Sequence, residues 1–213
     1  MTRPMDLAYK FIKDKILDGS FRPSQRLIEL ELSELIGASR NTIKKALLAL
    51  EKENLVEIQK NKGAFVKSFT LEEIINYLEI REALEGLVAR TAAKQIDKGA
   101  LEKLKKVLDQ MHVSLEEHRF DEYSVLNKQF HKIIYEASGN PQAVEIIEAI
   151  KTQLARYHFR TILIPGRNES SYEEHKQILS SLQAGDSAAA EKAVTHHISK
   201  VSNTIRDNFP LLT

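Results

Sequence analysis

The stretch ELELSELIGASRNTIKKALLAL, residues 29–50, predicts two short helices joined by a tight turn. Glycine adopts positive φ angles at no steric cost, so Gly37 is suited to end the first helix abruptly. Ser39 then provides a favoured N-cap for the second helix. The apolar residues assigned to buried stripes are Leu30, Leu32, Leu35 and Ile36 in the first helix and Ile43, Ala46, Leu47 and Leu50 in the second. This pattern indicates a helix-turn-helix.

The polar face of the second helix is the candidate DNA-reading surface. The residues left facing outward are Arg40, Asn41, Lys44 and Lys45, with Thr42 at the edge. Arg40 lies in the first turn, where a recognition helix usually meets base edges, and an arginine can bond one guanine in two places. The alternative is a helical hairpin with a solvated basic face, because charge on a helix surface is often only solvated.

A β-hairpin is predicted to follow the helix-turn-helix. Residues 55–58 and 64–66 are short β-like runs, and the segment between them contains Lys60, Lys62 and Gly63. Such a wing can lie along the DNA backbone or in the minor groove, which adds these three residues to the candidate DNA contacts. With a helix predicted over residues 6–18, residues 1–69 form a winged helix-turn-helix domain.

Charge is distributed unevenly along the chain. Residues 1–69 contain 13 Lys and Arg and 9 Asp and Glu, hence a net +4, whereas residues 70–213 contain 18 and 21, hence −3. A basic domain beside a slightly acidic one is common in proteins that bind DNA through its phosphates, although +4 alone does not decide the matter. The absence of cysteine excludes disulfides and thiol chemistry. Without a signal region or a run of ~18 apolar residues, we expect a cytoplasmic protein with no membrane contact.

The second part of the chain predicts an all-helical bundle. Six helices are expected in residues 70–213, at about 70–97, 99–118, 121–137, 141–164, 169–184 and 187–208. Their short connections favour antiparallel neighbours. The predicted fold class is therefore mostly α, with a winged helix-turn-helix followed by an antiparallel bundle.

Within this bundle, one oxygen donor and three histidines form a candidate metal site. Asn127 and His131 are four residues apart on one helix and share a face. His175 and His197 lie on two later helices, and His196 points about 100° away from His197. Three imidazoles and an oxygen suit zinc, nickel, iron or manganese. Taken singly, each histidine is more often an ordinary polar residue, and spacing alone does not show that they converge.

The first domain resembles the winged helix of GntR-family bacterial transcription regulators. The resemblance covers residues 5–67 and is carried by residues 22–27, 31–40, 44–47 and 62–66. The family usually has arginine where this chain has Lys44, often has Thr-Pro where it has Asn41-Thr42, and in some members has arginine where it has Leu30. These departures affect which bases are read. The resemblance implies binding to a double-stranded DNA operator.

The second domain is similar to the FCD effector domain of the FadR-type branch of that family. The similarity is carried by Phe130-His131, Ser138–Asn140, Glu174-His175, Gly185-Asp186 and His197-Ile198. Six helices suggest the shorter, VanR-like subgroup. The resemblance implies a homodimer, a small carboxylate effector, and a divalent transition metal, zinc or nickel, on Asn127, His131, His175 and His197. Many such domains have aspartate where this chain has Asn127, so a weaker or metal-independent site is the alternative.

The resemblance also implies a set of effector-binding residues. Arg81 belongs to a segment, residues 79–85, that is similar to the one whose arginine faces the pocket, and a guanidinium suits a carboxylate. The alternative is that Arg81 and Glu85 form an i, i+4 pair on a solvated helix surface. Glu85 and Asn140 belong to the same candidate set. Arg156 and Arg160 share a face of the fourth predicted helix of this domain and could be further effector ligands, but either could equally lie at an interface.

The sequence as a whole predicts a dimeric transcription regulator, expected to be a repressor, that binds an operator of two-fold symmetry and responds to a small organic acid. A regulator whose effector is the metal itself is one alternative. A metal-dependent hydrolase is another, but no motif places a general base beside the histidines, and the winged helix would then be unexplained. We therefore expect that the protein is not an enzyme.

Overall fold

The computed structural model describes residues 3–155, 157, 161 and 164–212. This part of the chain forms two compact units, one built on residues 3–70 with residues 152–155, and the other on residues 71–151, 157, 161 and 164–212. Each unit has its own core of buried apolar side chains. The first is a winged helix-turn-helix and the second a bundle of helices, which confirms the predicted mostly α fold class.

The first unit contains three helices and a small sheet. Its elements are α1 (Pro4–Leu17), β1 (Arg26–Leu27), α2 (Glu29–Ile36), α3 (Arg40–Lys52), β2 (Val56–Gln59) and β3 (Gly63–Val66). The sheet is antiparallel with the order β1-β3-β2, and Phe65 on the central strand lies opposite both Arg26 and Glu57. Strand β1 was not predicted, because a run of two residues has no periodicity to detect.

The turn between α2 and α3 forms as the sequence indicates. Gly37 has a left-handed backbone with φ of 71°, and its N–H donates to the Ser33 carbonyl at 3.0 Å. The Ser33 hydroxyl donates to the Ala38 carbonyl at 2.6 Å. Ser39 caps α3, since its side-chain oxygen accepts from the Thr42 N–H at 3.2 Å. The predicted roles of Gly37 and Ser39 are therefore confirmed.

The apolar face predicted for α2 is wrong in part. Leu32 is buried, but Leu30 and Leu35 are 52% and 64% exposed. Leu30 precedes Leu32 by about 200° around the helix, so the two side chains cannot share a face. The stripe predicted for α3 is confirmed, because its four apolar members are all buried: Ile43, Ala46, Leu47 and Leu50.

The second unit is helical throughout the residues that the structure describes. Its elements are α4 (Leu71–Gln95), α5 (Lys98–Glu116), α6 (Phe120–Ser138), α7 (Pro141–Gln153), α8 (Arg167–Gln183) and α9 (Ser187–Leu212). Helix α7 ends at Gln153, well before the predicted limit at residue 164. Within the described ranges, no helix is both long and apolar enough to cross a membrane.

Helices α4 and α9 share the most extensive contact in the bundle. Gly86 of α4 makes this possible, because a Cβ at that position would lie 2.8 Å from the Cγ2 of Thr195 on α9. Real Cβ atoms do not approach other atoms this closely, so a larger residue at this position would force the Thr195 side chain to shift. Glu85 precedes Gly86 and His197 follows Thr195 by two residues, so this contact also positions side chains of the candidate site.

Candidate metal centre and nucleic-acid interface

The three histidines predicted as ligands come together inside the bundle. His131 lies on α6, His175 on α8 and His197 on α9, and each is at most 3% exposed. One ring nitrogen from each lies within 4.8 Å of the other two. The Nε2 atoms of His131 and His175 are 3.3 Å apart. His196 is exposed, as its position on the helix predicts. The convergence that spacing alone left open is therefore present.

Each of these histidines has a polar neighbour at its Nδ1 atom. His175 Nδ1 lies 2.5 Å from the carbonyl oxygen of Ser171, and His197 Nδ1 lies 2.6 Å from Oε2 of Glu174. His131 Nδ1 lies 3.4 Å from Oε2 of Glu85, but that oxygen makes no hydrogen bond among the described residues. A ring that donates its Nδ1–H keeps a lone pair on Nε2. Metal-binding histidines have this arrangement.

Asn127 provides a further indication of a metal site. It lies one turn before His131 on α6. Its Oδ1 atom is buried and has no hydrogen-bond partner among the residues that the structure describes. Leaving such an oxygen unsatisfied costs about 1–3 kcal/mol, and a metal ion would provide the missing partner. The donor set of this chain therefore fits a cation.

The distance between two of the imidazole nitrogens agrees with this assignment. Two nitrogens that each bind one ion at about 2.0–2.1 Å lie about 3–3.4 Å apart when the angle at the ion is roughly 90–110°. The separation between the Nε2 atoms of His131 and His175, 3.3 Å, falls in that range. Neutral nitrogens and a carboxamide oxygen suit zinc or nickel better than magnesium or calcium.

Two buried arginine–glutamate pairs lie next to the histidines. Arg81 donates to Glu85 on α4, and the two side chains are 5% and 1% exposed. Arg167 on α8 donates to both carboxylate oxygens of Glu174, at 3.0 and 2.8 Å. The first pair has the predicted i, i+4 spacing, but it is buried, so its interpretation as a solvated surface pair is wrong.

Burial and these pairs together set the charges in the site. Burial lowers the pKa of His131 to about 4, although Glu85 acts in the opposite direction, and burial likewise lowers the pKa of His175 and His197. Burial raises the pKa of Glu85, but Arg81 and then His131 lower it by more, so it lies well below its usual value. At neutral pH the imidazoles are therefore neutral, which is the form that binds metals.

Of the remaining predicted effector residues, the structure describes only Asn140. Asn140 caps α7, since its Oδ1 accepts from the Ala143 N–H at 3.1 Å. Its side-chain oxygen therefore has a structural task, and an effector contact remains a prediction. Arg156 and Arg160 lie outside the described residues.

Sequence reasoning did not identify Arg167 and Glu174 as members of the site. They are seven residues apart, about two helical turns, so they share a face of α8. Helical periodicity could have predicted this pairing from the sequence. The contact of Glu174 with His197, on another helix, has no such signal. Tyr135 was also missed: Arg81 and Glu85 act electrostatically on its buried hydroxyl, which makes no hydrogen bond among the described residues.

The predicted DNA-reading residues form an exposed surface on α3. Arg40, Asn41, Lys44 and Lys45 are all exposed. Arg40 is 67% exposed, and its Nη2 is 4.0 Å from Oε2 of Glu29, a contact too weak to hold it. Thr42 differs from the others, because its hydroxyl lies 2.8 Å from that of Ser39 and takes part in the cap.

The wing places its basic residues at an exposed tip. Lys60 and Lys62 are exposed between β2 and β3, and the Lys62 N–H donates to the Gln59 carbonyl at 3.1 Å. Gly63 has a φ of 98°, a backbone conformation that residues with a Cβ atom rarely adopt. The glycine therefore shapes the tip from which the two lysines project.

Comparison with known protein families agrees with both units. Residues 5–66 match the bacterial regulatory proteins of the gntR family, and residues 76–200 match the FCD domain. The chain belongs to the GntR family. As a GntR-family protein with an FCD domain, it is a transcription regulator.

Full-length relatives and solved structures support this assignment. The chain is 27% identical over 198 residues to the HTH-type transcriptional repressor RspR of Escherichia coli K12, covering 93% of this chain and 87% of RspR. It is 29% identical over 213 residues to the Uxu operon regulator of Haemophilus influenzae, covering 90% and 78%. The fold matches E. coli McbR/YncC with a TM-score of 0.74 at 21% identity, covering 100% and 98% of the two chains. RspR is named as a transcriptional repressor and the Uxu operon protein as a regulator, which agrees with the regulator assignment rather than with the hydrolase alternative.

Proposed function

We propose that this GntR-family regulator is a homodimeric repressor whose affinity for its operator is controlled by a small organic acid. The acid binds in the helical domain, next to a divalent metal held by Asn127, His131, His175 and His197. The observation that carries the proposal is the convergence of three buried imidazoles, together with an unsatisfied carboxamide oxygen one helical turn from His131. When bound, the metal offers positions to which a carboxylate can attach.

The DNA-binding part of the proposal rests on the exposed face of α3 and on the wing. Arg40, Asn41, Lys44 and Lys45 face the major groove, and Thr42 supports them from the cap. Lys60 and Lys62, positioned by Gly63, contact phosphates. Two such domains in a dimer fit an operator whose half-sites are about one helical turn, ~34–36 Å, apart.

The proposed effector class follows from the charges around the histidines. Two arginines and two glutamates neutralise each other in pairs. The four proposed metal ligands carry no charge, so a bound divalent cation leaves positive charge that an anionic effector can balance. Because Arg81 already has Glu85 as its counter-ion, an effector carboxylate at Arg81 has to share the guanidinium with Glu85 or displace it.

A regulator whose effector is the metal itself is the second candidate function. It is favoured by the same buried cluster, because a metal that orders three helices could act on DNA affinity without any organic ligand. The two functions differ in one measurement. An operator is selected from random duplexes, and its affinity for metal-free protein is measured by fluorescence anisotropy at fixed salt. A large change on adding zinc alone supports the metal as effector, and a change that also requires a carboxylate supports the organic acid.

Metal content provides the first test of the proposed site. Tag-free protein is purified without chelator and analysed by elemental mass spectrometry, together with His131→Ala and His196→Ala. We expect close to one metal ion per chain in the wild type and in the control variant at the exposed His196, and close to none in His131→Ala. If the wild type contains no metal even after zinc or nickel is added, the metal site is refuted.

A further inference from the structure

The site contains two similar series of three neighbouring side chains, each an arginine, a glutamate and a histidine, that the proposed function does not explain. In one, Arg81 is bonded to Glu85, whose other oxygen lies 3.4 Å from His131 Nδ1. In the other, Arg167 holds Glu174, whose Oε2 lies 2.6 Å from His197 Nδ1. In both series a buried glutamate lies between an arginine and a proposed metal ligand.

The ligand set in this chain lacks negative charge. Asn127 provides a neutral oxygen, so the ion would be surrounded by three neutral imidazoles and a carboxamide. A carboxylate that accepts the Nδ1–H of a histidine makes the opposite nitrogen a stronger donor and fixes the orientation of the ring. Glu174 accepts such a hydrogen bond from His197, whereas Oε2 of Glu85 lies 3.4 Å from His131 Nδ1 and makes no hydrogen bond among the described residues.

We propose that Glu174 is a positioning residue that compensates for Asn127 by accepting the Nδ1–H of His197, which makes the opposite nitrogen of that ring a stronger donor to the metal. Glu85 acts in the same way through His131, but more weakly. This inference rests on the proposed metal site. The ranking follows from the two contacts, because 2.6 Å is a strong charge-assisted hydrogen bond and 3.4 Å is not.

Arg167 explains why Glu174 is available in one fixed orientation. Both carboxylate oxygens of Glu174 accept hydrogen bonds from the Arg167 guanidinium, at 3.0 and 2.8 Å, and this two-point contact sets the plane of the carboxylate. The two hydrogen bonds from Arg167 and the one from His197 together engage both oxygens of Glu174. A fixed carboxylate fixes the ring of His197 in turn.

The test is the zinc affinity of Glu174→Gln, measured by competition with a chromophoric chelator. Glutamine keeps the size of the side chain and its ability to accept a hydrogen bond, but it removes the charge. We expect zinc binding to weaken by about 10–100-fold. The matched control is Glu173→Gln, because Glu173 is adjacent on α8 but exposed and paired with Lys176 at 2.9 Å. The control should bind zinc as the wild type does.

A second variant keeps the test decisive if Glu174→Gln does not fold. Arg167→Met combined with Glu174→Gln removes both charges of the buried pair, so neither partner is left alone. Urea unfolding of the metal-free proteins shows which variants are folded. The folded double variant should show the same loss of zinc affinity, and Glu85→Gln should show a smaller loss.

Zinc affinity in Glu174→Gln within about twofold of the wild type would overturn the inference, since carboxylates behind metal-bound histidines matter by more than that. An equal loss in Glu173→Gln would also overturn it. A wild type that binds no zinc refutes the metal site itself, and with it the proposed function, so the two failures are distinguishable.

Discussion

Replacing Arg81 with methionine should destabilise the metal-free protein by about 3–5 kcal/mol, because it leaves a buried carboxylate without its cation. Arg81 is 5% exposed and Glu85 only 1%, so water cannot replace the lost guanidinium. The loss is large beside the ~5–15 kcal/mol that holds a typical domain folded. An Arg81 variant that no longer responds to an effector is therefore informative only if its folding is measured as well.

Two further variants test whether the loss of stability comes from the unpaired buried charge or simply from replacing an arginine side chain. Arg81→Met combined with Glu85→Gln removes both charges and should recover most of the lost stability, because no ion then remains buried alone. Arg90→Met is the matched control on the same helix. Arg90 and Glu191 form an exposed pair at 3.5 Å, and such pairs contribute about 0–1 kcal/mol.

The assay is urea unfolding followed by far-ultraviolet circular dichroism, at neutral pH and fixed salt, on protein stripped of metal. The free energies of unfolding of the wild type and these three variants are compared at a common denaturant slope. If Arg81→Met lowers the free energy of unfolding no more than Arg90→Met does, then burial of the Arg81–Glu85 pair does not make breaking it costly. A double variant less stable than Arg81→Met would contradict the same reasoning.

Three other predictions test the rest of the structure. The pKa of His131 lies near 4 in the folded chain and near 6.5 when unfolded. Between these pH values the unfolded state therefore binds more protons than the folded state. The free energy of unfolding of the metal-free protein should fall by about 3 kcal/mol from this group as the pH falls from 6.5 to 4. Urea midpoints that stay constant from pH 7.5 to 5 would contradict this. Arg40→Ala should weaken binding to a selected operator by ~1–3 kcal/mol and relax preference at one base, whereas Lys60→Ala should weaken all duplexes alike and lower the salt slope by about 1. Unchanged base preference in Arg40→Ala would show that α3 is not the reading helix. Asn140→Ala should cost about 0.5–2 kcal/mol of stability, measured by urea unfolding, through the lost cap of α7, and Asn140→Gly much less.

The winged helix was predictable because its signals are local. Gly37 and Ser39 act on the backbone within a few residues, and the buried stripe of α3 depends only on the period of the helix. The failures are also local in origin. Strand β1 is too short to leave a pattern, and Leu30 was assigned to a face that the geometry of α2 does not allow.

The candidate site was predictable only as a set of residues without an arrangement. Sequence and family resemblance predicted Asn127, His131, His175 and His197 as metal ligands. Arg81 and Glu85 do form the i, i+4 pair that the alternative interpretation expected. Burial reversed the meaning of that pair, because the same contact that is weak in water is costly to break inside the bundle.

The sequence by itself determined the local elements, the basic surface of α3 and the identity of the nitrogen and oxygen donors. Only the tertiary structure decided that three imidazoles meet within 4.8 Å and that Glu174 stands behind His197. Helical periodicity specifies which residues share a face of one helix, but it carries no information about the rotation of that helix against its neighbours. That rotation is set by the packing of side chains from several helices, as at Gly86 and Thr195, whose contact brings α4 and α9 together beside the histidines.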